Sequence, residues 1–167
     1  ATRDGASCGR GTRAGRLIPP GASAEYEGAL ARLFARTGGA WRLGLERVAE
    51  LSDELSNPHR AYPVFHLAGT NGKGSTVATL DALLRAGGLR VARYTSPHLV
   101  DFSERIVVDG RPMPTLAITE WLNTHEPLLT RLGATFFEAT TAMALSYFAD
   151  SRADVAIVEV GLGGRLD

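Results

Sequence analysis

A glycine-rich segment between an apolar run and a helical pattern constrains the fold of this 167-residue chain more than any other feature. Residues 64–68 are apolar apart from one histidine, and a helix is predicted over 75–85, where Gly87 and Gly88 end it. Glycines let backbone N–H groups turn toward an anion, a helix N-terminus adds partial positive charge, and Lys73 adds a full charge. An ordinary glycine turn with a surface lysine is the weaker alternative. The segment predicts phosphate binding by Gly69, Thr70, Asn71, Gly72, Lys73, Gly74, Ser75 and Thr76.

Strand and helix patterns alternate along the rest of the chain. Helices are predicted from a Ser23 cap to Thr37 and over 43–55, 115–132 and 137–149, and further strands over 89–95, 105–108 and 154–160. Pro127 is expected to kink or divide the third of these helices. The pattern predicts an α/β fold with an open, mostly parallel sheet and helices on both faces. Ligands then bind beyond the carboxyl ends of the strands, where loops 69–75, 95–99 and 159–166 begin.

Composition excludes several classes of partner. Lys plus Arg and Asp plus Glu each number 18, so no net charge attracts nucleic acid or an anionic membrane. No apolar run approaches the roughly 20 residues that span a bilayer. The lone Cys8 excludes an intramolecular disulfide and favours a reducing, cytoplasmic location. Residues 1–22 are rich in Gly and Arg, and we expect a disordered leader there and a single, incomplete domain over 23–167.

The phosphate segment departs from the common P-loop pattern in an informative way. Leu67 stands where that pattern has its first glycine, and Gly74 separates Lys73 from the hydroxyl residues. A standard GTPase or kinase loop is therefore disfavoured. The segment instead resembles the loop of the Mur-ligase superfamily, and within it that of the folylpolyglutamate and dihydrofolate synthases. The resemblance extends to the strings YTSPHL (94–99), ER (104–105), TFFE (135–138) and EVGLGGRLD (159–167).

This resemblance implies the incomplete central, ATP-binding domain of a Mur-type ligase. It implies that L-glutamate is added to a folate with ATP and Mg²⁺, through an acyl phosphate. It assigns catalysis to Lys73 and Glu159, and metal binding to Ser96 and Glu159. From the residues alone, Glu159 could equally be a strand-end acid that caps a helix, and Ser96 a turn residue. His98 belongs to the resembling string, but a neutral histidine that is hydrogen-bonded to the loop backbone explains its place equally well, and we expect no catalytic role for it.

The resemblance also implies an acceptor site for folate or dihydropteroate. It comprises the segment from Ala40 to Leu43 and the residues Trp41, Arg42, Leu43, Thr135, Phe136, Phe137, Leu166 and Asp167. Bifunctional members that use dihydropteroate carry Thr and Asp where this sequence has Ala40 and Arg42. We expect one of the two phenylalanines to stack on a pterin and the other to begin an apolar helix. Met113, Met143, Trp121 and, as an alternative to its place in the acceptor site, Trp41 are expected to be packing residues.

The resemblance places a further histidine ligand, a lysine and a small C-terminal domain beyond residue 167. We therefore expect the chain by itself to bind nucleotide weakly and not to ligate. We expect a monomer whose partners are small molecules. Two alternatives stay open: a Mur-type ligase acting on a cell-wall precursor, and a non-catalytic nucleotide-binding module.

Overall fold

The computed structural model of the chain describes residues 20–38, 44–161 and 163–164. Its strands are β1 (Val64–Leu67), β2 (Val91–Tyr94), β3 (Ile106–Val108), β4 (Arg111–Pro112) and β5 (Val155–Glu159). Within these residues the strands form one five-stranded sheet in the spatial order β1-β5-β2-β3-β4. The connections from β1 to β2 and from β4 to β5 carry helices, as the alternating sequence pattern predicts.

The sheet combines a parallel part with an antiparallel edge. β5 lies between β1 and β2 and is parallel to both. β3 is antiparallel to β2, and β4 is antiparallel to β3. The open α/β sheet is confirmed, and the three strands that precede the predicted functional loops are parallel, as expected. The prediction of a mostly parallel sheet is wrong for β3 and β4, which are paired antiparallel. Asp109 and Gly110 join these two strands in a tight hairpin turn, with positive φ at both residues.

The helices follow the predicted order with shifted ends. They are α1 (Pro20–Ala35), α2 (Glu46–Glu54), α3 (Lys73–Ala86), α4 (Thr115–Leu132) and α5 (Phe136–Asp150), with short 3-10 helices at Arg36–Gly38, Pro58–Arg60 and Phe102–Arg105. α1 begins three residues before the predicted Ser23 cap, so the boundary set at residue 22 falls inside a helix. α4 continues through Pro127 and is not divided. Residues 1–19 of the expected leader, with Cys8, lie outside the described residues.

Two apolar clusters pack the helices onto opposite faces of the sheet. Val77 of α3 packs with Val91 and Ile157 on one face. Ala92 and Ala156, which alternate with them along the strands, belong to the larger core formed with α1, α4 and α5 on the other face. β2 and β5 are therefore buried on both sides, which explains their nearly unbroken apolar sequence and confirms helices on both faces.

The predicted packing residues that the structure describes are buried, whereas Trp41 lies outside the described residues. Met113, Met143 and Trp121 are all buried in the larger core. Trp121 also stacks on His125, with ring centroids 4.4 Å apart. None of the described helices combines the length and the apolar character needed to cross a membrane.

Strand register brings the functional loops to one edge of the sheet. Leu67 pairs with Glu159, and Tyr94 pairs with Val158. The carboxyl ends of β1, β5 and β2 therefore lie side by side, and the loops that follow them start from the same edge.

Candidate functional site

The phosphate segment turns sharply into α3. Gly72 caps the helix with φ 79° and ψ −2°, a left-handed conformation that favours glycine. The amide of Thr76 donates to the Gly72 carbonyl at 3.0 Å, so α3 begins at Lys73 and not at the predicted Ser75. The backbone N–H groups of the first turn, including those of Lys73, Gly74 and Ser75, have no acceptor within the helix. The loop therefore presents donors and the positive end of a helix at the edge of the sheet, which suits an anion.

Lys73 and Glu159 are brought together by this geometry. The Lys73 ammonium donates to the Gly69 carbonyl at 2.9 Å, and its Nζ lies 3.9 Å from Glu159 Oε1. Glu159 ends β5 and is only 7% exposed. A full positive charge thus lies inside the glycine loop, next to a nearly buried carboxylate.

Ser96 begins the neighbouring loop at the same edge. It follows Tyr94 by two residues, and Tyr94 pairs with Val158, the residue before Glu159. One hydroxyl and one carboxylate therefore leave adjacent strands beside the phosphate loop. Mg²⁺ in nucleotide sites usually takes one or two protein oxygen ligands and completes its shell with phosphates and water. The donor chemistry of Ser96 and Glu159 fits such an ion, so these two residues could hold it.

The loop after Ser96 is held in shape by Glu104. Its carboxylate accepts hydrogen bonds from the backbone N–H groups of Leu99 at 2.8 Å, Val100 at 3.1 Å and Asp101 at 2.9 Å. The bond from Leu99 is the leading cause of a Glu104 carboxyl pKa below its ordinary value. Leu99 and Val100 themselves are almost fully exposed. Glu104 thus fixes a loop whose own side chains make little contact with the core.

His98 is oriented by a side chain, not by the loop backbone as expected. Its Nδ1 accepts a hydrogen bond from Arg105 Nε at 2.8 Å, which assigns the unprotonated nitrogen to Nδ1. The Arg105 guanidinium also lies 5.2 Å from the ring centroid of Phe136. Phe34 stacks on Phe136 with centroids 5.0 Å apart and planes 15° apart. The Phe136 ring is therefore already engaged by protein groups.

Phe137, by contrast, lines a cavity of about 380 Å³. Leu45 and Val48 form the α2 wall of this cavity, and Phe137, Thr141 and Leu145 form its α5 wall. Tyr94, Val158 and Glu159 also line it, so the cavity adjoins the site of Lys73 and Glu159. We refer to it as the α2–α5 cavity. Phe137 is thus the phenylalanine with open space beside it, and pterin stacking on its ring stays a prediction.

The predicted acceptor residues are only partly described. Trp41, Arg42, Leu43, Leu166 and Asp167 lie outside the described residues. Thr135 caps α5, and its hydroxyl is 2.9 Å from the Glu138 carboxylate. The Thr135 hydroxyl is therefore committed to the helix cap in this conformation.

Sequence reasoning assigned no role to Arg47, Glu104, Arg105 or Glu138, all of which hold parts of this site in place. A local signal existed for the two glutamates. Asp101 and Glu104, like Thr135 and Glu138, are three positions apart and form reciprocal capping boxes. No local signal pairs Arg47 with Glu138, because these residues are 91 positions apart.

Comparisons with known proteins relate the chain to one family of enzymes. A scan against protein-family models finds no match. The chain is 42% identical over 148 residues to a probable bifunctional folylpolyglutamate synthase/dihydropteroate synthase of Haloferax volcanii, covering 86% of this chain and 18% of that protein. It is 46% identical over 125 residues to the dihydrofolate synthase/folylpolyglutamate synthase of Escherichia coli, covering 75% of this chain and 30% of that protein.

Solved structures give the same result. Mycobacterium tuberculosis folylpolyglutamate synthase complexed with ADP superposes with a TM-score of 0.81 at 40% identity, over 87% of this chain and 34% of that chain. A bifunctional synthase with Mn, AMPPNP and L-glutamate bound gives 0.76 at 39% identity, over 83% of this chain and 34% of that chain. A structure described as an FPGS-AMPPCP-folate complex gives 0.78 at 35% identity, over 85% of this chain and 36% of that chain.

The fold defines the class of the protein, an α/β domain of the Mur-ligase type. Within that class, the chain belongs to the family of folylpolyglutamate and dihydrofolate synthases. It spans 18% and 30% of the two relatives above, so it holds only a part of what they contain.

Proposed function

We propose that the protein to which this chain belongs is an ATP-dependent ligase that adds L-glutamate to a folate. One observation carries the proposal: Lys73, in a glycine loop at a helix N-terminus, lies 3.9 Å from the nearly buried Glu159. The family supplies the reaction, since its members are described as folylpolyglutamate and dihydrofolate synthases. The ligands described in the solved members, namely adenine nucleotides, L-glutamate and folate, are the proposed ligands here.

In the first step a carboxylate of the folate attacks the γ-phosphorus of ATP. A new bond forms between oxygen and phosphorus, the bond to the β-phosphate breaks, and the products are an acyl phosphate and ADP. Lys73 is placed to leave the Gly69 carbonyl for a phosphoryl oxygen, while the N–H groups of the loop hold the remaining phosphate oxygens. The chain's own contribution is thus positioning and charge stabilisation.

In the second step the amine of glutamate attacks the acyl carbon. The amide bond forms, phosphate leaves, and the amine loses a proton. An acyl phosphate also reacts with water, so this step needs a site from which water is excluded. We propose that residues outside this chain close the site, and that the chain by itself binds nucleotide without completing ligation.

Ser96 and Glu159 are the residues we propose to hold Mg²⁺, which when bound neutralises phosphate charge. Glu159 is suited to this role because it is nearly buried and lies beside the phosphate loop. The hydroxyl of Ser96 starts from the adjacent strand at the same edge.

We propose that the pterin end of the acceptor enters the α2–α5 cavity. The cavity is mostly apolar, adjoins Glu159 and contains the ring of Phe137. A flat heteroaromatic ring system suits such a site, because an aromatic side chain can stack on it and nearby polar groups can orient it.

The test is acceptor-dependent ADP release by the full-length protein with ATP, Mg²⁺ and glutamate. Tetrahydrofolate, dihydropteroate and a cell-wall precursor are supplied separately. We expect release with tetrahydrofolate, and its loss in Lys73→Ala and Glu159→Ala. Release with the cell-wall precursor alone would refute the folate assignment. ATP binding without release for any acceptor would favour a non-catalytic module.

Monomeric state and cytoplasmic location stay predictions, which sedimentation and cell fractionation would test.

A further inference from the structure

Arg47 and Glu138 form an ion pair that joins α2 to α5. Arg47 NH2 lies 2.8 Å from Glu138 Oε1, and Arg47 Nε donates to Glu138 Oε2 at 3.1 Å. Two parallel contacts of this kind fix the guanidinium and the carboxylate in one plane. The pair therefore sets both the distance and the orientation between the first turns of α2 and α5.

The Glu138 carboxylate is fully used. Besides Arg47, it accepts the backbone N–H of Thr135 at 2.8 Å and lies 2.9 Å from the Thr135 hydroxyl. Glu138 is 8% exposed. Burial alone would raise the pKa of its carboxyl, but the hydrogen bonds from Arg47 and Thr135 outweigh burial and the pKa lies below its ordinary value. Glu138 is thus ionised at neutral pH and tied at once to α2 and to the start of α5.

The first turn of α2 is less buried than the second half of the helix. It is nine residues long, and Leu45 before it makes no side-chain cap. Its buried residues, Leu51 and Ser52, lie in its second half. The ion pair of Arg47 is therefore a contact of the less buried end of α2, and it ties that end to α5.

The two elements joined by this pair are the two walls of the α2–α5 cavity. Leu45 and Val48 flank Arg47 on one wall, and Phe137 precedes Glu138 on the other. A change in the Arg47–Glu138 distance must move these walls relative to each other, because both side chains belong to the first turns of their helices.

We propose that Arg47 and Glu138 are positioning residues for the acceptor, which set the width of the cavity that receives the pterin. This inference rests on the proposed function. Neither residue needs to touch the acceptor; the pair acts through Val48 and Phe137. Nucleotide binding, which depends on the loop between β1 and α3, should not depend on the pair.

The test uses the full-length protein and separates the KM values for the two substrates. Glu138→Gln removes the charge and leaves an oxygen that can still accept from Thr135, whereas Arg47→Gln leaves the Thr135–Glu138 capping box intact. We expect each variant to raise the KM for tetrahydrofolate about tenfold and to leave the KM for ATP unchanged. A tenfold change lies within the range of interaction energies found between residues in contact. The double variant should be no worse than either single variant.

Glu54→Gln is the matched control. Glu54 ends the same helix and pairs with Arg131 of α4 at 2.6 Å, but both of these side chains are about half exposed. This control should leave both KM values unchanged. If Glu54→Gln raises the acceptor KM as much as Glu138→Gln does, or if ATP and acceptor KM rise together, the pair has no specific role in positioning the acceptor.

Hydrogen exchange supplies a readout that does not need turnover. In Glu138→Gln the amides of α2 from Ala49 onward, which donate to carbonyls one turn earlier, should exchange faster, with no change in α3. Unchanged exchange there would overturn the inference even if the ligase is active. If the wild-type enzyme accepts no pterin substrate, the proposed function fails, and with it the acceptor's part in this inference. Faster exchange would then still support the pair as the anchor of α2.

Discussion

Replacing Lys73 by Met should remove most of the rate of phosphoryl transfer while leaving the fold intact. Unit charges at the Lys73–Glu159 distance of 3.9 Å interact by about 4 kcal/mol at an effective dielectric constant of about 20. A phosphoryl oxygen bound by the same ammonium would be stabilised by a comparable free energy, less the free energy of the contact with the Gly69 carbonyl that Lys73 gives up. Loss of a single such donor typically costs about 3 to 4 kcal/mol, or 10² to 10³ in kcat.

The assay is tetrahydrofolate-dependent ADP release by the full-length protein, with kcat and KM measured for Lys73→Met. Arg90→Met is the control, because it also replaces a cation by Met. Arg90 immediately precedes β2 and therefore lies at the amino end of that strand, whereas the phosphate loop lies at the carboxyl ends of the parallel strands. We expect the Arg90 variant to retain wild-type kcat and the Lys73 variant to lose at least a hundredfold.

A loss of less than about tenfold in Lys73→Met, with the thermal midpoint unchanged, would refute this reasoning, because that loss corresponds to only about 1.4 kcal/mol. It would mean that Lys73 serves the loop through its bond to the Gly69 carbonyl and not the phosphoryl group. An equal loss in Arg90→Met would point to general electrostatics instead of a local contact.

Four further predictions follow from the described residues. Gly72→Ala should lower nucleotide affinity as well as stability, the latter by about 1 kcal/mol, because Gly72 has φ 79°. Gly88, with φ 86° and open space around it, provides the control: Gly88→Ala should lower stability by a similar amount without changing nucleotide affinity. Denaturant unfolding measures the stability of the two variants, and isothermal titration measures their nucleotide affinity. Met143→Ala should lower the unfolding free energy by about 2 to 5 kcal/mol in urea, because Met143 is fully buried; a loss below about 1 kcal/mol would mean that the core closes around the gap. The pKa of the Glu138 carboxyl is lowered in the folded state, so ionised Glu138 stabilises the fold at pH values above its ordinary pKa of 4.5. This stabilisation is lost as the pH falls through the folded-state pKa, so Glu138→Gln should flatten the acid side of the plot of stability against pH. An unchanged plot would contradict this prediction. Lys73 is the single lysine of the chain, so AMPPNP should slow its acylation as read by mass spectrometry, and an unchanged rate would argue against nucleotide binding by the chain alone.

The sequence predicted those parts of the fold that depend on local pattern. Apolar runs with glycine after them located β1, β2 and β5, and glycines marked the ends of several helices. The start of α3 was placed two residues late, because Ser75 looks like a cap while Gly72 takes that role through its left-handed backbone. β4 was missed because two residues have no periodicity, and their pairing with β3 depends on tertiary structure.

The site was predictable where one short segment carries the chemistry and unpredictable where distant residues meet. The loop around Lys73 could be read directly, and register with Leu67 then placed Glu159 beside it. The choice between Phe136 and Phe137 depends on the direction of each ring around α5, which two adjacent identical residues do not reveal. Arg47 and Glu138 meet only because α2 packs against α5, and no sequence spacing encodes that contact.

Transfer of labelled glutamate to a pterin acceptor tests the central claim most directly. The full-length protein is incubated with ATP, Mg²⁺, labelled L-glutamate and tetrahydrofolate, and the pterin product is isolated and counted. We predict that label enters the pterin in amounts equal to the ADP formed, and that Lys73→Met abolishes both. ADP formation without label in the pterin, or label transfer that is unchanged in Lys73→Met, would contradict the account.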